Sequence, residues 1–159
     1  MQKVEGRLDA SSLRLAFIVS RFNSMITDKL LEGSLDLYLR CGGKMENCSV
    51  YAVPGSFEIP MTAARVAATG KYDAVVCLGC LIRGETGHYD YIASEVASGI
   101  SRVAVERQIP VTFGVITADT VEQAISRAGL KYGNKGVEAA SAAIEMASLY
   151  RKIAEADSK

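Results

Sequence analysis

Asp73-Ala-Val-Val-Cys-Leu-Gly-Cys-Leu-Ile82 carries a single charge, at its first position. A stretch this apolar and this short predicts a strand covered on both faces, because a half-exposed strand would alternate apolar and polar residues. Comparable runs lie on either side: Leu13 to Val19, Asn47 to Val53 and Pro110 to Thr117. Helical segments separate them. Ser20-Arg-Phe-Asn-Ser24 supplies polar residues able to cap a helix from Met25 to Arg40, which Gly42 and Gly43 end. Pro54-Gly55-Ser56 marks a turn, after which Ser56 opens a helix from Phe57 to Thr69 and Gly70 closes it. Arg83-Gly-Glu-Thr-Gly87 leads into a helix from His88 to Arg107, and Asp119 caps another to Ala128. After the linker Gly129 to Gly136 a last amphipathic helix runs to the charged C-terminal end. Strand and helix alternating four times predict an α/β fold, a flavodoxin-like three-layer sandwich with a four-stranded parallel sheet.

Residues 13–159 form one domain on this reading, since 159 residues with 49% hydrophobic content can build a core without disulfide or metal staples. The first twelve residues stand apart. Val4, Gly6 and Leu8 alternate with charged residues, like a short strand lacking a partner in this fold, so residues 1–12 are expected to be an arm that pairs with another subunit. Lys plus Arg equals Asp plus Glu at 18 each, so no net field attracts nucleic acid or an anionic membrane. The N-terminal MQKVEGRLDASSL has no apolar signal region, and no run approaches the ~18 apolar residues of a membrane span. A cytoplasmic protein is expected.

Cys77 and Cys80 spell a C-x-x-C inside the third strand, where residues three apart point to opposite faces. With one histidine in the chain a zinc site is not expected. All four cysteines, Cys41, Cys48, Cys77 and Cys80, are read as small buried apolar side chains.

In an open parallel sheet ligands bind beyond the carboxyl ends of the strands, so the loops after the first three strands should border one crevice. Phe22 and Phe57 could grip a flat ring there, with the Glu58 carboxylate accepting hydrogen bonds from hydroxyls or ring N–H groups; the alternative keeps Phe57 in the core and Glu58 as a first-turn carboxylate. Gly84, Glu85, Thr86 and Gly87 precede a helix whose free N–H groups suit a phosphate, although the Glu85 charge opposes an anion unless it turns away. His88, at the same junction, is the candidate proton carrier, since histidine is the side chain whose ordinary pKa lies near neutrality; an exposed helix-start residue is the alternative.

Taken together, Ser20-Arg-Phe-Asn23, Pro54-Gly-Ser-Phe-Glu-Ile-Pro60, Leu81-Ile-Arg-Gly84, Thr86 with His88, Phe113-Gly-Val-Ile-Thr117 and Gly133-Asn-Lys-Gly136 resemble the lumazine synthase family in order and spacing, over nearly the whole chain. The resemblance implies a transferase that needs no cofactor and no metal. It would condense amino-ribitylaminouracil with dihydroxybutanone phosphate, giving the lumazine precursor of riboflavin with release of phosphate and water. It implies stacking by Phe22, a ribityl chain held at Ser56, Phe57 and Glu58, and a ring pocket walled by Cys80, Leu81, Ile82 and Phe113. Glu85 and Thr86 would contact phosphate, Arg127 would pair with it, Lys135 would assist nearby, and His88 would transfer protons. Glu85 stands where many members carry a small residue, which points to its backbone N–H rather than its carboxylate.

The resemblance also implies a homo-oligomer of pentamers with sites at subunit interfaces, riboflavin synthase as a partner, and a sixty-subunit shell where the linker before the last helix is compact, as 129–136 is. The predicted geometry favours shared sites too. A helix starting at Asp119 carries Arg127 roughly 12 Å toward the opposite edge of the sheet, at about 1.5 Å per residue, and Phe113 lies early in its strand. A flavodoxin-like flavin carrier and a non-catalytic shell protein are the alternatives. Ser20-Arg-Phe-Asn-Ser-Met25 lacks the hydroxyl run of a flavin-phosphate loop, and His88 with Arg127 argues against lost catalysis.

Overall fold

The computed structural model describes residues 1–129 and 133–158. In chain order it contains β1 (Leu15–Ser20), α1 (Ser24–Arg40), β2 (Cys48–Val53), a 3-10 turn at Ser56–Glu58 that runs into α2 (Ile59–Ala67), β3 (Ala74–Ile82), α3 (His88–Arg107), β4 (Val111–Ala118), α4 (Val121–Arg127) and α5 (Lys135–Asp157). The strands pair in the order β2-β1-β3-β4, all parallel. The expected α/β three-layer sandwich with a four-stranded parallel sheet is what the chain forms.

Strand alternation sorts the core into two layers. Leu15, Phe17 and Val19 of β1, with Val76, Leu78 and Cys80 of β3, bury against α1 and α5. Ala16 and Ile18, with Val75 and Cys77, bury against α2 and α3. Cys77 and Cys80 therefore belong to opposite layers, as their spacing demands, and neither can bond the other. Cys41 and Cys48 depart from expectation, being only half-buried beside the amino end of the sheet. Small residues let α5 lie close to the sheet: Ala139, Ala140, Ala143 and Ala147 are buried, and the Thr112 hydroxyl donates to the Ala139 carbonyl at 2.9 Å.

Several helix starts differ from the sequence reading. Asp119 does not cap α4. Thr120 does, its hydroxyl accepting from the Gln123 N–H at 3.2 Å, while the Gln123 amide oxygen accepts from the Asp119 N–H at 2.9 Å. Asp119 is freed for another partner. No side chain of 20–24 caps α1; Asn23 sits at its start in the left-handed region (φ 61°), and its carbonyl accepts from Ile26 and Thr27. Ser56 opens a 3-10 turn rather than α2 itself, because Pro60 is tolerated only in a helix's first turn.

Residues 1–12 contain no strand. They run along α5 of their own chain, where Arg7 N–H donates to Ser148 Oγ at 3.1 Å and Lys152 Nζ to the Glu5 carbonyl at 2.7 Å. Part of the 129–136 linker, residues 130–132, lies outside the described residues.

Candidate functional site

The carboxyl ends of the four strands are tied into one rim. Arg21 and Phe22 N–H groups donate to the carbonyls of Val53 and Pro54 at 2.8 and 3.1 Å, joining the loops after β1 and β2. Asn23 Nδ2 donates to the Cys80 carbonyl at 3.0 Å, joining β1 to β3, and Arg83 N–H donates to the Ala118 carbonyl at 2.8 Å, joining β3 to β4. Asparagine suits this position because it tolerates the left-handed backbone while its amide still reaches across. On this rim two large apolar rings face water: Phe22 is 70% exposed and Phe57 54%. Exposure of Phe57 removes the reading of it as core. Glu58 is half-buried beside it, and Ser56 is buried.

The loop after β3 is open. Glu85, Thr86 and His88 are exposed, and a side chain at Gly84 or Gly87 would meet nothing. α3 starts after Gly87 with no side-chain cap, so its first N–H groups remain available to an anion. Arg83 organises this loop. Its Nε lies 2.9 Å from Asp119, its Nη2 3.2 Å from Asp90, and its guanidinium 4.5 Å above the Tyr89 ring. The bonds to Asp119 and then Asp90 push the Arg83 pKa up. This clamp was not assigned from the sequence, where Arg83 stood only as the charged residue directly after an apolar strand and as part of the Leu81-Ile-Arg-Gly84 motif.

Cys80 is buried, and burial pushes its thiol up to about 11. The side chain is a neutral wall at neutral pH, not a nucleophile. Leu81 and Ile82 follow it, half-buried. Among the described residues no three His, Cys, Asp or Glu side chains converge as a metal site requires, and no helix is long and apolar enough to cross a membrane.

Three candidates stay apart from Phe22 and Phe57 within the chain. Phe113 pairs with Cys77, low in the sheet, half-buried among the α2 and α3 layer. It is five residues before the end of β4, or roughly 16 Å at about 3.3 Å per residue. Arg127 corrects the sequence geometry. Instead of pointing away from the carboxyl end, it folds back, and its Nη1 donates to the Thr117 carbonyl at 2.7 Å because α4 is only 7 residues long. Carbonyls alternate along a strand, and that of Ala118 turns to β3, so Thr117 and Arg127 occupy the free outer edge of β4. Lys135 opens α5 with an ion pair to Glu138 at 3.3 Å, and its neighbour Asn134 is bound to α1 through the Lys29 carbonyl. That places Lys135 with the opposite helix layer from α3.

The rim is an open edge rather than a closed pocket. A cleft of about 200 Å³ between α2 and α3 takes in Phe57, Met61, Glu95 and Gly99 but neither Phe22 nor His88. A larger cavity, about 330 Å³, lies at the amino end of the sheet beside Tyr72, Arg107 and Tyr150, away from this chemistry.

A family model described as 6,7-dimethyl-8-ribityllumazine synthase matches residues 12–151. A relative bearing that name, from Chlorobium phaeobacteroides (strain BS1), is 52% identical over 153 residues, covering 96% of this chain and 99% of its own.

Proposed function

We infer the reaction from one premise: the chain belongs to the 6,7-dimethyl-8-ribityllumazine synthase family. It is a transferase of riboflavin biosynthesis, condensing amino-ribitylaminouracil with dihydroxybutanone phosphate and releasing phosphate and water. The observation that carries this is the match along nearly the whole chain, joined to a rim on which the loops after β1, β2 and β3 are hydrogen-bonded together.

The chemistry asks little of exotic side chains. A primary aromatic amine attacks a ketone, phosphate leaves, and a second nitrogen closes the ring, so co-localisation and proton transfer supply the acceleration. Phe22 stacks on the pyrimidine, residues 56–58 hold the ribityl chain, and Cys80, Leu81 and Ile82 wall the ring. Exposure of both phenylalanines supports the stacking role, since bare rings on a rim gain by covering. The 84–87 turn and the start of α3 receive phosphate through backbone N–H groups of Glu85 and Thr86, and exposed His88 moves the protons. Lys135, apart from the rim within its own chain, assists from the neighbouring subunit. Mixing the purified protein with both substrates should give lumazine absorbance and stoichiometric phosphate release; absence of both sinks the assignment.

The site is shared between subunits of a pentamer, with Phe113 and Arg127 supplied by the neighbour. Support comes from Phe113 lying low in the sheet and Arg127 lying on the open edge of β4. The exposed rings and side chains of Phe57, Met61 and Tyr91 give the oligomer an apolar face to cover, and the 1–12 arm pairs with a neighbouring subunit. Co-assembled His88→Ala and Arg127→Ala chains should regenerate intact sites at roughly a quarter of interfaces under random mixing. No recovery in demonstrated mixed assemblies refutes sharing. Pentamers build a sixty-subunit shell in the cytoplasm, where riboflavin synthase is the natural associate; ultracentrifugation that finds only free pentamers at high concentration rejects the shell.

A further inference from the structure

β3 carries Gly79 where the Ser56–Glu58 turn crosses the sheet. Its backbone is ordinary strand, so conformational freedom does not explain the glycine; space does. A Cβ built there would lie 2.6 Å from Ser56 Oγ, 3.0 Å from Ile59 Cδ1 and 3.4 Å from Val115 Cγ1. The contact with Val115 is ordinary, and the Ile59 methyl is the far end of a flexible side chain. Ser56 Oγ cannot yield in that way. It is one bond from its Cβ, Ser56 is 5% exposed, and its hydroxyl is buried without a hydrogen-bond partner among the described residues. A polar atom is left unsatisfied here because the turn is pressed down onto the strand.

We propose that Gly79 is a positioning residue, whose missing side chain lets the Ser56–Glu58 turn sit directly on β3 and so sets where Phe57 and Glu58 stand on the rim. The adjacent Cys80 carbonyl is the acceptor for Asn23. The same few residues of β3 therefore seat the turn after β2 and the loop after β1, the two segments assigned to the ribitylamino-pyrimidine. Nothing in this packing touches the 84–87 turn assigned to phosphate.

Gly79→Ala should raise KM for the pyrimidine about tenfold, since small misplacements in a bound pair are costly, and should leave inhibition by inorganic phosphate unchanged. Removing the obstructing hydroxyl should relieve it, because Ser56 Oγ is buried and the contact of Ser56 with the ribityl chain is left to its backbone. In a double-mutant cycle with Ser56→Ala, the two changes should be non-additive by at least about fivefold. Hydrogen exchange of amides 55–59 should rise in Gly79→Ala and fall back in the double variant. Additive effects, or wild-type KM and exchange in Gly79→Ala, overturn the role of Gly79; so does an equal loss of phosphate inhibition, which a general structural defect would cause. If Gly79→Ala does not assemble, a double variant that assembles supports the proposal and one that also fails overturns it. Because the role rests on assigning residues 56–58 to the ribityl chain, Glu58→Gln is measured in parallel. An unchanged KM in that variant defeats the assignment, and exchange alone then decides Gly79.

Discussion

The helices fall into two groups by how they begin. α1, α2 and α3, which follow β1, β2 and β3 onto the rim, have no side-chain cap. α4 and α5 do: Thr120 accepts from Gln123, and Asn134 Oδ1 accepts from Gly136 and Val137 at 2.8 and 3.1 Å. Capping is worth about 1 kcal/mol and removes the local positive potential from use. The capped starts anchor packing, and Asn134 additionally donates to the carbonyls of Lys29 and Ala128. The uncapped starts forgo that stability, but α1 and α2 satisfy early donors through backbone carbonyls, Asn23 accepting from Ile26 and Thr27 and Ser56 from Ile59. It is the start of α3 that leaves donors facing the space where phosphate is assigned. The division separates helix starts tied into packing from that of α3, left open for a ligand on the same rim where α4 begins.

The contrast can be broken in several ways. Arg127→Ala should lower kcat/KM for the phosphorylated ketone about 100-fold, the scale of a lost charge-assisted phosphate contact; a wild-type value would leave Arg127 as an edge residue bound only to Thr117. His88→Ala should lower kcat about tenfold while an analogue of the ribityl-pyrimidine binds as before, since proximity survives the change. A full-rate variant removes His88 from the mechanism. On the capped side, Asn134→Ala should cost about 2 kcal/mol in urea unfolding with KM unaltered, because it deletes a cap and two further hydrogen bonds. Gly87→Asp places a competing carboxylate at the start of α3, in space where a Cβ meets nothing. It should raise KM for the phosphorylated ketone about fivefold while raising Tm slightly; unchanged KM would mean the N–H groups of α3 bind no anion.

The last effect is alkaline. Burial raises the Cys80 thiol from 9.0 to about 11 and raises Cys77 further still, so above the unfolded value the unfolded chain loses protons that the folded chain keeps. Stability is therefore unaffected below about pH 9 and falls as pH rises toward 11, by at most about 1.4 kcal/mol per pH unit for each group. Urea midpoints at pH 8 and 10 measure it, and Cys77→Ala should flatten the decline.

Much of this was legible in residue order. The all-apolar character of 73–82 required a strand buried on both faces, and the same reasoning put Cys77 and Cys80 in opposite layers. The motifs around Phe22, 54–60 and 81–88 identified the family through the residues that border the rim. What residue order could not supply was decided by packing between segments far apart in sequence. Thr120 rather than Asp119 caps α4 because Arg83, 36 residues away, claims the Asp119 carboxylate. Arg127 turns back to Thr117 because a short α4 leaves its guanidinium within reach of an edge carbonyl. Local chemistry determined which residues could cap, cross or bury, since those preferences reside in single side chains and their period. Which partner each one took depended on distances across the sheet, and those exist only once the chain has folded.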